Sequence, residues 1–191
     1  MPAVDGIFVD IGIGKNAFLR RKDLLNEKRF PTEGSPILAQ VIKSDTDMKG
    51  ALITEKISMF GKYAVTLSGT GYIGVSKKIR QESVRKRLKE IGKEICAEHM
   101  GLIIRTAAEN ADMDEFRKDI TRLKENWDII QKRFRMEKSP TLLYRESDII
   151  VKALRDYVNK GTEILITDNR KIYERICKLN ESEHTIEPDK I

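Results

Sequence analysis

Hydrophobic residues in the first third of the chain come in short runs that turn residues separate. Apolar and polar positions partly alternate, and single glycines stand between the runs. Such runs predict short β-strands, and glycine permits the sharp corners of a small barrel. Four strands are predicted between residues 7 and 57, within IFVDIG, NAFLR, PILAQVIKSD and GALITEKI.

Strands and helices are both predicted in the middle of the chain, residues 58–141. YAVTL, YIGV and GLIIRT have strand patterns, and a basic helix follows YIGV. The next helix is the most regular element, because its apolar residues recur at alternating spacings of three and four. Asp112 followed by Glu115 is typical of its N-terminus. A face this regular packs against a core or against a partner. Its members are Met113, Phe116, Ile120, Leu123, Trp127, Ile130 and Phe134.

The last part, residues 142–191, has the pattern strand, helix, strand, helix. Ser147 is a predicted N-cap, EILITD a predicted buried strand, and Asn169 the start of a helix that runs through Leu179. This order predicts a βαβα segment, although a single unit leaves its sheet without neighbouring strands. The fold class predicted for the whole chain is α+β.

Composition describes a protein with a heavily charged surface, because 40% of the residues are hydrophobic and 35% are charged. No apolar run approaches the roughly 18 residues of a membrane helix. The first residues lack the pattern of a secretory signal, so we expect a cytoplasmic protein. Cys96 and Cys177 stand far apart outside any CxxC motif, and we expect reduced, buried thiols and no zinc site.

Positive charge is concentrated in one segment. The formal net charge is +6, and the segment 76–95 holds eight Lys or Arg against three Glu. Such an excess favours a polyanion such as nucleic acid or an anionic membrane. A solvated face of a basic helix is the alternative, and the sequence leaves both open.

Motifs of a self-contained enzyme are absent from the sequence. His99 and His184 are the only histidines, and neither has a serine or cysteine nucleophile pattern nearby. HExxH, GxGxxG and the phosphate-binding loop are missing, since GIGKN lacks the GK[ST] ending.

Two groups of residues are candidates for binding. Phe8 and Phe18 lie on successive predicted strands, and Lys49 begins another, an arrangement that suits base stacking and phosphate contacts on an OB-type barrel. Alternatively, both rings fill the barrel. Arg105 and Thr106 end the predicted strand GLIIRT, where a guanidinium and a hydroxyl could bind a phosphate through hydrogen bonds. The alternative for this pair is a surface ion pair beside a threonine that merely suits a strand.

Collinear segments of the chain resemble the bacterial ribonuclease E/G family. This resemblance implies a cytoplasmic, Mg²⁺-dependent endoribonuclease that cuts single-stranded RNA, prefers a 5′-monophosphate, and joins its protomers through Zn²⁺. The segments are AVDGIFVDIGIGKNAFL, KGALITEKISMFGKYAVTL, IGVSKKI, MGLIIRTAAE, and ESDIIVKALRDY with EILITD.

The resemblance also implies site residues and domains. Phe8, Phe18 and Lys49 match RNA-contacting positions of the family's barrel. The family's 5′-monophosphate pocket is matched by Arg105, Thr106, Gly61, Val65 and Lys77. Lys77 stands where relatives often have arginine. The positive charge is kept, but the paired hydrogen bonds that a guanidinium can donate are lost. The implied domains are an S1-type OB barrel without its first strand at 1–55, an α/β 5′-sensor at 56–141, and part of a ribonuclease-H-like domain at 142–191.

The family's metal-binding aspartates and CPxC zinc link are not found in this sequence. Because metal-assisted hydrolysis needs closely placed carboxylates, we expect no cofactor in this chain and no cleavage by it alone. Catalysis is expected in a domain outside the chain or in a split partner chain. The alternative function is a non-catalytic RNA-binding or scaffold protein whose regular helix, Met113–Phe134, docks a partner.

Overall fold

A computed structural model describes residues 5–96, 100–146, 149–158 and 161–183. The chain divides into two compact units, Met1–Tyr144 and Arg145–Ile191. Two mixed sheets and four α-helices are present in the described part. The predicted α+β class is therefore confirmed.

The first sheet has four strands in the order β1-β2-β4-β3. Its strands are β1 (Gly6–Val9), β2 (Ala17–Arg20), β3 (Gln40–Lys43) and β4 (Leu52–Thr54). The pairs β1–β2 and β3–β4 are antiparallel, whereas β2 and β4 are parallel. All four predicted strands are confirmed, and β1 and β3 form the edges. The buried core on this sheet consists of Ala17, Leu19, Leu24, Ala51 and Ile53.

The second sheet also has four strands, in the order β5-β6-β8-β7. They are β5 (Ser58–Phe60), β6 (Ala64–Ser68), β7 (Ile73–Val75) and β8 (Met100–Ile104). The predicted strands YAVTL and YIGV are confirmed as β6 and β7, but β8 lies between them. Because β7 and β8 are parallel, the chain needs a crossover between them, and the helix α1 (Glu82–Ile95) supplies it.

The helix α2 (Met113–Met136) packs its apolar face into the core of the second sheet. Phe116, Ile120, Leu123 and Ile130 are buried there. The prediction of core packing is confirmed for these four residues, whereas Met113, Trp127 and Phe134 of the same face are half-buried. Docking of a partner by this helix stays a prediction. The Asp112 carboxylate caps the helix by accepting from the amides of Asp114 and Glu115, at 2.8 and 3.3 Å.

Both sheets belong to the first unit, and Gln40 links them. Its Nε2 donates to the carbonyl of Ser58, and its Oε1 accepts from the Ser58 amide, each at 2.9 Å. The domain boundary near residue 55 stays a prediction.

The second unit contains the helices α3 (Ile149–Tyr157) and α4 (Arg170–Glu183). The helix predicted from Asn169 is confirmed, and the Asn169 side chain accepts from the Lys171 and Ile172 amides at 3.0 and 3.2 Å. Ser147 lies outside the described residues. None of the helices in the described ranges combines the length and apolarity of a membrane span.

The predicted βαβα strands are wrong. No described residue between 142 and 183 belongs to a strand, and EILITD has no regular secondary structure. Its Ile164 and Ile166 are 64% and 83% exposed, although the sequence predicted burial. A strand needs a neighbour for its backbone hydrogen bonds, and the described residues provide none here.

Candidate nucleic-acid interface

Arg105 and Thr106 directly follow β8 at the edge of the second sheet. The Arg105 amide donates to the Tyr63 carbonyl at 2.8 Å, which extends the contact of β8 with the turn before β6. Thr106 then begins a short 3-10 turn, Thr106–Ala108. Arg105 is half-buried and Thr106 is exposed, so the strand end presents both side chains next to the same turn.

The guanidinium of Arg105 is anchored on the β5–β6 turn. Its Nη1 donates to the carbonyl of Gly61 at 2.8 Å and to that of Lys62 at 3.3 Å. These charge-assisted bonds fix the plane of the guanidinium relative to the sheet.

The hydroxyl of Thr106 meets the turn between β7 and α1. Its Oγ1 lies 3.0 Å from Ser76 Oγ, and the Ser76 amide donates to the Ile104 carbonyl at 2.9 Å. The exposed Lys77 comes directly after Ser76, in the same turn. Ser76 was not among the predicted site residues, although its place immediately before Lys77 was a usable signal.

Arg85 of α1 holds this second turn. Its Nη1 donates to the carbonyls of Ser76 and Ile79 at 2.7 and 2.9 Å, and its Nη2 donates to that of Val75 at 3.4 Å. One guanidinium thus satisfies three main-chain carbonyls of the turn that carries Ser76. Arg85 is half-buried and stabilises this turn from α1.

Gly61 and Val65 lie beside the end of β8. Gly61 is buried, and a Cβ on it would lie 2.3 Å from Oδ2 of Asp119. Val65 on β6 is the register partner of both Phe60 and Ile103. The elements that carry the predicted residues Gly61, Val65, Lys77, Arg105 and Thr106 therefore converge on one region of the sheet.

Sequence reasoning missed Asp119 of α2, which is 6% exposed. Its carboxylate accepts from the amides of Lys62 and Tyr63 at 3.2 and 2.8 Å, and from Arg122 Nη2 at 3.0 Å. Position 119 is three residues after Phe116 and four before Leu123, so it borders the apolar face. A carboxylate at such a position signals a satisfied buried charge.

Tyr63 adds a second tie between this turn and α2. Its hydroxyl donates to Glu115 Oε2 at 2.6 Å. Burial raises the pKa of Tyr63 well above its ordinary value, and the hydrogen bond and charge of Glu115 raise it further.

The basic segment is solvated as well as positively charged. Seven of its basic side chains are exposed, on the turn after β7 and on α1: Lys77, Lys78, Arg80, Lys86, Arg87, Lys89 and Lys93. Exposed cations on elements next to Thr106 raise the local concentration of a polyanion.

Phe8 and Phe18 form an aromatic pair on the first sheet. They are register partners on β1 and β2, with ring centroids 5.4 Å apart and planes at 45°. Phe8 is 68% exposed and Phe18 is half-buried. The alternative that both rings fill the interior is wrong, because Ala17 and Leu19 occupy the buried face of β2 instead.

Lys49 lies in a turn three residues before β4 and does not begin that strand. Its amide donates to Thr46 Oγ1 at 3.2 Å, and Lys15 Nζ donates to the carbonyl of Thr46 at 2.9 Å. A Cβ on Gly50 would lie 2.0 Å from the Asn16 carbonyl oxygen, so the exposed Lys49 sits close to the β1–β2 loop.

The donor groups of the described residues do not fit either metal that the resemblance implied. Nowhere in the described ranges do three or more His, Cys, Asp or Glu side chains group to hold an ion.

Comparison with known proteins relates the chain to one family. The model of the Ribonuclease E/G family matches residues 58–191. Ribonuclease G of Escherichia coli is 32% identical over 195 residues, which cover 93% of this chain and 40% of that protein. Ribonuclease E of Synechocystis is 31% identical over 186 residues, 92% of this chain and 28% of that protein.

A third relative, a putative ribonuclease E of Buchnera aphidicola, is 31% identical over 91% of this chain and 46% of its own length. The chain thus spans less than half of each of these relatives. The match of a family model to well over half of the chain, with relatives above 30% identity across nearly all of it, identifies the chain as a member of the ribonuclease E/G family.

Proposed function

We propose that this chain is the RNA-binding and 5′-monophosphate-sensing part of a ribonuclease E/G-type endoribonuclease that acts in RNA processing and decay. The observation that carries the proposal is the arrangement at the end of β8. Arg105 and Thr106 leave the strand side by side, and each is held by a different neighbouring turn. A guanidinium and a hydroxyl held in this way are pre-organised to receive a phosphate.

The proposed ligand of this region is the terminal phosphate of a single-stranded RNA. A 5′-monophosphate carries up to two charges and three terminal oxygens, so Arg105 and Thr106 would supply charge-assisted and neutral hydrogen bonds together. Lys77 adds a point charge from the adjacent turn. An RNA that ends in a 5′-hydroxyl lacks this anion, which provides the basis for discrimination.

The body of the RNA would contact the first sheet. The pair of Phe8 and Phe18 presents an aromatic surface for stacking of bases, and Lys49 offers a charge for the backbone. The four-stranded sheet with one parallel pair supports the assignment of an OB-type barrel.

Cleavage is assigned to residues outside this chain, where the relatives have further sequence. The chain by itself should then leave RNA intact in the presence of Mg²⁺, as judged by gel analysis of an end-labelled single strand. Mg²⁺-dependent cutting that persists through repurification and is absent from a matched blank preparation would overturn this part.

The sensing role is tested with two RNAs of identical sequence that differ only in a 5′-phosphate or a 5′-hydroxyl. Fluorescence anisotropy should show tighter binding of the phosphate form, and Arg105→Ala should remove the difference. Loss of charge-assisted bonds of this kind typically costs about 1.5–3 kcal/mol, or roughly 10- to 150-fold in affinity.

Two further variants complete the experiment. Thr106→Ala changes an exposed side chain and should lower the preference without a change in fold. Arg87→Ala removes an exposed arginine of α1. It should weaken the binding of both RNAs by the same factor, in a salt-dependent manner. Equal affinity of the wild-type chain for both RNAs refutes the proposed sensor.

A further inference from the structure

Asp119 is a buried carboxylate with no part in the proposed phosphate contacts, yet it lies directly behind them. It projects from α2 against the turn of residues 61–63, and it is 6% exposed. A charge at this depth is costly unless hydrogen bonds satisfy it. Its carboxylate accepts from two main-chain amides of that turn and from the side chain of Arg122.

Two peptide groups connect Asp119 to Arg105. The first consists of the Gly61 carbonyl and the Lys62 amide, and the second of the Lys62 carbonyl and the Tyr63 amide. Both amides donate to Asp119, at 3.2 and 2.8 Å, and both carbonyls accept from Arg105 Nη1, at 2.8 and 3.3 Å. The N–H and C=O of a planar trans peptide point in opposite directions. Each group is therefore held between an anion on one side and a cation on the other.

This arrangement aligns the dipoles of the two peptide groups between opposite charges. The amide ends face the carboxylate and the carbonyl ends face the guanidinium, so each bond polarises and strengthens the next. Without the carboxylate the two amides would lose their acceptor, and the peptide groups could rotate away from the guanidinium.

We propose that Asp119 is a positioning residue of the 5′-monophosphate pocket, one that fixes the guanidinium of Arg105 through the peptide groups of residues 61–63. The inference rests on the proposed sensing function and extends it to a residue that need not touch RNA. It also explains the glycine at position 61, where any Cβ would lie 2.3 Å from the carboxylate oxygen.

Asp119→Asn tests the proposal with the smallest change in shape. An asparagine keeps one acceptor oxygen and turns an NH₂ group toward the other amide, so one peptide group loses its acceptor. The ratio of affinities for 5′-phosphate and 5′-hydroxyl RNA should fall roughly tenfold. The affinity for the 5′-hydroxyl RNA should stay within about twofold, since the first sheet is unchanged.

The control is Asp128→Asn, on the exposed side of the same helix. It removes the same charge from α2 and should leave the ratio as in the wild type. Gly61→Ala is a second variant, which displaces the carboxylate sterically while its charge is kept, and it should lower the ratio as Asp119→Asn does.

Hydrogen exchange gives a readout that needs no RNA, and its first measurement needs only the wild-type chain. The amides of Lys62 and Tyr63 should be protected in the wild-type chain, and both the protection and the NMR signal of the Arg105 side chain should change in Asp119→Asn. Unprotected amides in the wild type overturn the proposal even if the variants do not fold.

The outcomes separate the two proposals. A wild-type preference for 5′-phosphate RNA that survives in both folded variants overturns the positioning role and leaves the sensor standing. A wild-type chain without preference refutes the sensor, and with it the role of Asp119 in sensing, whatever the exchange data show about the turn.

Discussion

The hydroxyl oxygens of Ser76 and Thr106 lie 3.0 Å apart, although the two residues are separated by thirty positions of sequence and a whole helix. Parallel pairing of β7 with β8 brings them together, because Val75 and Ile104 are register partners at the carboxyl ends of these strands. The residues that follow the two strands, among them Ser76 and Thr106, therefore meet at one edge of the sheet.

Ser76→Ala should remove the hydrogen bond that orients the Thr106 hydroxyl. A neutral hydrogen bond contributes about 0.5–1.5 kcal/mol, so we expect a loss of a few-fold in the preference for 5′-phosphate RNA. Anisotropy titrations with the matched RNA pair measure it. Ser83→Ala on the exposed side of α1 is the control, and an equal loss there would contradict the assigned contact.

Arg85→Met should loosen the turn that carries Ser76 and Lys77. Methionine keeps an apolar stem but leaves the carbonyls of Val75, Ser76 and Ile79 without the guanidinium. Hydrogen bonds to a charged group are worth about 1.5–3 kcal/mol, and urea unfolding should report a loss of that order.

The control for Arg85 is Arg87→Met, since Arg87 is exposed on the same helix. Its free energy of unfolding should stay within about 0.5 kcal/mol of the wild type. The support assigned to Arg85 is wrong if the two variants are equally stable.

Phe8→Ala should lower RNA affinity with little effect on folding, because the ring is mostly exposed. Loss of a stacked base typically costs about 1–3 kcal/mol, and 5′-phosphate and 5′-hydroxyl RNA should be affected equally. Phe18→Ala should also reduce stability, since the Phe18 ring covers Gly6. Ile42→Ala on the edge strand β3 is the matched apolar control, and unchanged RNA binding by Phe8→Ala contradicts the stacking surface.

Tyr63→Phe removes the buried hydrogen bond to Glu115 and should destabilise the chain by about 1.5–3 kcal/mol in urea unfolding. The pH dependence has a definite sign. Burial and Glu115 raise the pKa of Tyr63 in the folded state, so the unfolded chain loses this proton first as the pH rises. The contribution of Tyr63 to the free energy of unfolding is complete below about pH 10 and declines above it.

Tyr63→Phe should lack that alkaline decline in unfolding free energy, whereas Tyr72→Phe, at an exposed position, should keep it. A wild-type stability profile that stays flat above pH 10 contradicts the environment described for Tyr63.

Most helices and strands of the first unit were predictable because their patterns are local. The apolar face of α2 follows from spacing alone. The N-cap was predictable because Asp112 is a short polar residue directly before the helix. EILITD has an equally good strand pattern, yet it remains unpaired in the described structure. Its pattern states which residues can form a strand, whereas a strand forms only where a neighbour accepts its hydrogen bonds.

The common location of Arg105 and Thr106 was predictable for a different reason. Arg105 and Thr106 are adjacent in sequence and follow a strand, so their common location needs no long-range contact. Asp119 could not be assigned in the same way, because its two amide partners are 57 and 56 residues away.

The sequence by itself determined the charge, the strand that Arg105 and Thr106 follow, and the helix face that would be buried, since all of these depend on neighbours along the chain. Only the tertiary structure decided that β8 lies between β6 and β7, that Ser76 meets Thr106, and that Asp119 and Arg105 hold the same two peptide groups from opposite sides. Hydrogen bonds between distant segments depend on how helices and sheets pack together, and no local pattern of residues encodes that packing.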